Sequence, residues 1–180
     1  MSWSRTRLIR MRTLTLAVTL CAPACSAAPQ DAAETSVLPF NVARVRLVSG
    51  ADTTYLRVQL ATSAEQRNLG LMERQHLADT AGMLFLYPTE QPATAGFWMF
   101  RTRIPLDIAF LDSLGAIGAI THMVPCTATL AAGCPSYPPT VPYRAALEVN
   151  AGYFARRKLM IGTRLVLSDT SRFVSPHARP

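Results

Sequence analysis

From residue 42 onward, apolar and polar positions alternate with a period of two, the pattern of half-buried strands. Val42-Ala43-Arg44-Val45-Arg46-Leu47-Val48 predicts one strand, and Ser49-Gly50-Ala51-Asp52 turns it back into Tyr55-Leu56-Arg57-Val58-Gln59-Leu60. In this second run Leu56, Val58 and Leu60 share a face opposite Tyr55, Arg57 and Gln59. Further short runs occupy residues 83–87, 96–100, 106–111, 116–121, 144–149 and 164–167, most of them separated by turn residues. Many short strands with Pro and Gly punctuation predict a mainly β fold: a single compact β-sandwich or barrel-like domain over residues 41–170.

One or two short helices fit between the strands. Thr62-Ser63-Ala64-Glu65 has the form of a capping box, with the Thr62 hydroxyl accepting from the Glu65 amide. It predicts a helix to about Arg74 that turns Leu69 and Met72 toward the core, with Gly70 marking close backbone approach. Asn150 is a candidate N-cap for a second helix over Ala151 to Arg157 or Lys158. The basic Arg156-Arg157-Lys158 suits the negative end of that helix and is read as a solvated end, ahead of a phosphate or membrane patch.

Before residue 42 the pattern is different. Arg5, Arg7, Arg10 and Arg12 precede the apolar run Leu14 to Ala22, and small residues follow it. This predicts a secretory signal over residues 1–24, with cleavage as late as residue 27. The run is about half the ~20 residues that span a bilayer. Cleavage after Ala24 leaves Cys25 first, the position that bacterial lipoproteins acylate; cleavage after Ala27 releases a soluble protein. Both stay open. Residues 25–40 are expected to form a flexible tether and residues 171–180 a disordered tail. The expected location is the periplasm, free or lipid-anchored to the envelope, with membrane contact only through Cys25.

Composition narrows the function classes. The 180 residues are 49% apolar and 16% charged, too apolar for a disordered chain. The net charge of +7 owes four of its units to the arginines of the signal, so nucleic acid is not expected as a partner. No phosphate-binding loop, dinucleotide fingerprint or zinc-type cysteine quartet occurs, so no cofactor is expected. His76, His122 and His177 lack metal-ligand spacing, no metal is expected, and the serines lack a nucleophile elbow. Cys126 and Cys134 form an even pair in an exported chain, which predicts a disulfide. Their seven intervening residues fit neither the C-x-x-C redox spacing nor a zinc knuckle.

Asp107 is the most informative single residue. Alternation places Leu106, Ile108 and Phe110 on one face and Asp107 with Ala109 and Leu111 on the other, in a strand apolar on both sides. A buried carboxylate needs a partner, and Arg74, Arg101, Arg103 or backbone amides are the candidates. Trp98, within Phe97-Trp98-Met99-Phe100, is either a stacking surface for a sugar or part of an aromatic core strand.

Four segments read together resemble a known family: Ala64 to Arg74, Gly82-Met83-Leu84-Phe85, Phe97 to Asp112, and Ala146-Leu147-Glu148-Val149-Asn150-Ala151-Gly152. The chain resembles the domain-of-unknown-function 192 family over roughly residues 42–168, and Pro125-Cys126 with Cys134-Pro135-Ser136-Tyr137 resembles a cysteine-bearing loop of its bacterial members. The resemblance implies a compact β-rich domain, often exported or lipid-anchored, with no established reaction. Where the family usually reads Phe-Trp-Met-Lys-Asn-Thr, this chain has Phe100 and Arg101 in the lysine and asparagine places. Two functions are carried forward. One is a non-catalytic envelope module that binds a small ligand, glycan or envelope protein through a face holding Trp98, Arg101, Asp107, Glu148 and Asn150. The other is a hydrolase or transferase that uses Asp107 and Glu148 in one cleft.

Overall fold

A computed structural model describes residues 38–168. The signal segment, Cys25, most of the tether and the C-terminal tail lie outside the described residues.

β1 (Asn41–Ser49) and β2 (Asp52–Ala61) form a hairpin closed by Gly50 and Ala51. Gly50 has φ +60, the conformation that such a tight turn demands at its first central residue. α1 (Ala64–Leu69) then leads into β3 (Ala81–Gln91), which lies parallel to β2. After the two-residue β4 (Phe97–Trp98), β5 (Leu106–Leu111) and β6 (Ile117–Met123) make a second hairpin. A single 3-10 turn (Ala131–Gly133) precedes β7 (Ser136–Tyr137). β8 (Tyr143–Asn150) inserts between β5 and β3, and α2 (Tyr153–Arg156) and β9 (Arg164–Leu167) complete the described chain.

The main sheet has seven strands in the order β6-β5-β8-β3-β2-β1-β9, while β4 and β7 form a separate ribbon. It curls until its edges touch at one end. Ala116 bridges Arg164, the Ile117 amide donates to the Thr163 carbonyl (2.9 Å), and the Leu165 amide donates to the Gly115 carbonyl (2.8 Å). The architecture is thus mainly β and barrel-like without being a closed barrel. Val45, Leu47, Leu56, Val58, Ala109, Leu111, Leu147 and Val149 pack on one face with Tyr153 and Phe154 of α2. Met83, Phe85, Leu106, Ile108, Phe110 and Ala146 pack on the other, with Leu71 after α1 and Met99 after β4. Both faces of β5 are buried along its whole length, as its near-continuous apolar run requires.

The helices depart from the sequence reading. The N-cap of α1 is Ser63, not Thr62: Ser63 Oγ accepts from the Gln66 amide (3.1 Å), and Gln66 Oε1 accepts from the Ser63 amide (3.1 Å). The helix stops at Leu69, well before Arg74, because Gly70 takes φ +49 as its C-cap. No residue of α1 is buried; Leu71, just beyond it, enters the core in place of Leu69 and Met72. Asn150 is no N-cap either. It ends β8, and Gly152, with φ +74, caps α2.

Candidate functional site

The site is built on the face of β8 that carries Glu148. Glu148 stands opposite Met83 of β3 and Ile108 of β5, in the middle of a hydrophobic sheet. It is only 4% exposed, and burial alone pushes its carboxyl up to about 8. No cation or hydrogen-bond donor among the described residues offsets that cost. The carboxyl opens instead on a cavity of about 320 Å³.

Two walls close the cavity. On one side is α1 with the turn after it, contributing Arg67, Asn68, Gly70, Leu71 and Met72; on the other are Gly96, Phe97, Trp98, Phe100 and Thr102 of the β4 region. Tyr87 of β3 also lines it. Phe97 is fixed edge-on against Phe85 (5.0 Å between centroids) and Phe110 (5.7 Å), and Tyr87 edge-on against Tyr143 (5.4 Å). Trp98 alternates outward and is half-exposed at the rim. Thr102 is buried beside it. Burial raises the Tyr87 and Tyr143 hydroxyls above the usual phenol range.

Arg67 is held rigidly. Its Nη1 donates to the carbonyls of Thr62 (2.7 Å) and Leu86 (3.0 Å), and its guanidinium lies 4.8 Å over the Tyr87 ring. This use of Nη1 leaves Nε and Nη2 without a hydrogen-bond partner among the described residues. The two walls are tied together at their base. The Glu73 amide donates to the Arg101 carbonyl (2.7 Å), and the Glu73 carboxylate accepts from Nε of both Arg101 (2.6 Å) and Arg103 (2.7 Å). Those arginines, Arg101 first, hold the Glu73 carboxyl below its usual range. Glu73 and Arg101 both take positive φ, +61 and +57, so the clasp sits on strained backbone flanking the cavity.

Asp107 lies elsewhere. It pairs with Val149, one residue out of step with Glu148, so the two carboxyls project from opposite faces of the sheet. It is buried as expected, but no arginine reaches it. Oδ1 meets Nδ1 of His122 at 2.9 Å, and Oδ2 accepts from the Gly152 amide at 2.8 Å. Of the three arginines considered, Arg74 donates to Gln59, and Arg101 and Arg103 bind Glu73. Asn150 Nδ2 donates to the Leu77 carbonyl (2.8 Å) and does not line the cavity. Of the five face residues read from the sequence, the structure therefore brings together Trp98 and Glu148. Arg101 sits between two lining residues with its side chain turned to Glu73, and Asp107 and Asn150 lie outside the cavity lining.

The cleft with two catalytic carboxylates does not form. Asp107 and His122 supply an oriented imidazole, yet no nucleophile lies within hydrogen-bond reach of it among the described residues. Nor do three or more His, Cys, Asp or Glu side chains converge on a metal-sized site there. Cys126 and Cys134 are bonded, with Cα atoms 5.6 Å apart. Phe100, in the family's lysine place, lines the cavity. The departure from the family's pattern thus puts an apolar side chain, not a cation, in the cavity lining.

No curated protein matches significantly. A crystal structure of a candidate transcription regulator from Sinorhizobium meliloti 1021 is similar at 34% identity and TM-score 0.64, over 73% of this chain and 97% of that one. A protein of unknown function from Novosphingobium aromaticivorans DSM 12444 is similar at 30% identity and TM-score 0.63, over 73% of this chain and 89% of that one. Residues 46–167 match the family described as Uncharacterized ACR, DUF192, and the chain belongs to that family.

Proposed function

We propose that this protein is an exported envelope module that binds a small ligand in the cavity over Glu148 and performs no chemistry on it. One observation carries the reading: a buried carboxyl without a partner opens on a cavity of about 320 Å³, at the low end of small-molecule sites. A structural carboxylate would be paired, as Asp107 is; an unpaired one facing open space is kept for a partner from outside. The aromatic walls supply apolar contact, and the strained Glu73–Arg101 clasp fixes the distance between them. Glycan and protein partners are less well matched, because only Trp98 of the aromatic group stands at the rim.

The test is a thermal-shift screen of small metabolites against the protein. Binders should raise Tm by mass action, and the rise should disappear in Glu148→Ala and shrink in Trp98→Ala. A screen in which hits stabilise the Glu148→Ala variant equally would place the ligand elsewhere. Export and anchoring at Cys25 are read from the N-terminal pattern. Cell fractionation tests them: wild-type protein should sediment with membranes and Cys25→Ser should be released.

A further inference from the structure

Resting on the ligand reading of this cavity, the geometry points to a zwitterion as its occupant: an apolar amino acid or short peptide whose ammonium meets Glu148 and whose carboxylate meets Arg67. The two poles come from separate observations. Glu148 is 4% exposed, lines the cavity and has no cationic neighbour, so an ammonium is the group whose arrival would offset its isolation. Arg67 lines the same cavity, with Nη1 saturated by two backbone carbonyls and its plane fixed on Tyr87. Nε and Nη2 together form a fork for a carboxylate. The poles do not cancel each other. No ion pair or hydrogen bond joins Arg67 to Glu148 among the described residues; Arg67 is bonded to the Thr62 and Leu86 carbonyls instead. Phe97, Trp98, Phe100 and Met72 line the same cavity and offer apolar contact for a side chain.

Binding of an ammonium should be coupled to proton release. Burial pushes the Glu148 carboxyl up to about 8, which favours its protonated form at neutral pH. An ammonium needs the carboxylate, so binding at pH 7 should expel close to one proton. Apparent affinity should fall about tenfold per pH unit below 8 and stop rising above it, where the ligand's own ammonium starts to lose its proton, first in the dipeptide. The charged and titratable groups on the packed elements do not mimic this. Tyr87 and Tyr143 are raised from the phenol range, Arg67 is bound to the Thr62 and Leu86 carbonyls, Arg74 is bound to Gln59, and Glu73 is held low by Arg101 and Arg103.

Calorimetric titration of the full chain with leucine, phenylalanine and alanyl-leucine tests the inference, at pH 7 in phosphate and in Tris. At least one should bind, with heats that differ between the buffers by close to one proton's ionisation. Its methyl ester, which lacks the carboxylate, and its deaminated acid, which lacks the ammonium, should each bind at least tenfold more weakly. Glu148→Gln, nearly isosteric, should lose the proton release and at least tenfold in affinity. Arg67→Gln should weaken the zwitterion and leave the ester unchanged. Because the ligand analogues probe each pole without mutation, the test survives an Arg67 variant that fails to fold. An ester that binds as tightly as its parent, or binding without proton release, overturns the zwitterion. If no amino acid or dipeptide binds while another screened metabolite stabilises the protein through Glu148, the inference falls and the cavity reading stands. If nothing binds through Glu148 in either experiment, both fall.

Discussion

Asp107 shows how a buried carboxylate can be satisfied without a cation. Its two oxygens take one imidazole and one backbone amide, so the group closes the β5–β6 hairpin and fastens the start of α2. In Asp107→Asn the amide oxygen can keep the Gly152 bond, and the NH₂ can donate to His122 Nδ1 once that ring carries its proton on Nε2. The expected cost is about 1–2 kcal/mol in chemical denaturation. A stranded arginine would instead have cost about 3–5 kcal/mol, and a midpoint shift of that size would mean that an unpaired charge is buried here after all. The burial of Asp107 was legible from its flanking Leu106 and Ile108. Its partner was not, because of a bulge. Phe110 pairs with Ala119 but Leu111 with Ile117, so Gly118 is extra and slides His122 into the place opposite Asp107 that even counting from the turn would give to Thr121. The same limit applies at Arg101. Its φ of +57 suits an asparagine or glycine better than arginine, and only the fold reveals that conformation.

Among the elements, the strand predicted at residues 96–100 shortens to the two residues of β4, and its partner β7 gave no signal in the sequence. Strands of four or more residues show their period in sequence, and all of those predicted at residues 42–48, 55–60, 106–111, 144–149 and 164–167 form. A two-residue strand has no period to show. β4 exists because β7 pairs with it, because Phe100 bridges Cys126, and because the Cys126 amide donates to the Met99 carbonyl (3.3 Å). Contact is so close that a Cβ on Gly96 would lie 2.3 Å from Ser136 Oγ. The Cys126–Cys134 disulfide holds the loop that delivers β7, so it braces the Trp98 wall from behind. Cys126→Ala with Cys134→Ala should cost about 2–3 kcal/mol on the chain-entropy account. It should also weaken ligand stabilisation, since the wall loses its support. A double variant that keeps the full ligand-induced Tm rise would show that β4 stands without the brace. The α1 cap failed for a different reason. Thr62 and Ser63 both offer a hydroxyl three residues before a Glu or Gln, and the choice falls to Ser63 because Gln66 also reaches the Pro39 carbonyl (2.7 Å) and so ties the helix to the start of β1.

Across the whole molecule, the sheet is a partition between two carboxyls of opposite kind. Asp107, on the face packed against α2, is paired and supports the fold; Glu148, on the face covered by α1 and β4, is unpaired and weakens it whenever charged. The cost of charging Glu148 fixes the sign of a pH dependence. Burial raises the Glu148 carboxyl from the ordinary carboxylate value of 4.5 to about 8, so between those limits the native state holds a proton that the unfolded chain has released. Stability from this group is complete below the unfolded value and is lost as pH rises toward 8. The slope is at most about 1.4 kcal/mol per pH unit for one proton. Glu148→Gln keeps the shape and cannot ionise, so the decline that this group gives the wild type over that window should be missing from the variant. Comparing the two proteins by urea denaturation at pH 5, 6, 7 and 8 cancels every other titrating group they share. Parallel profiles would mean that Glu148 ionises freely in the folded protein, by hydration through the cavity, and the cost that suits it to a cationic partner would be absent. Diverging profiles that converge again when ligand is added at pH 8 would connect the same carboxyl to stability and to binding, since an ammonium in the cavity supplies what the fold withholds.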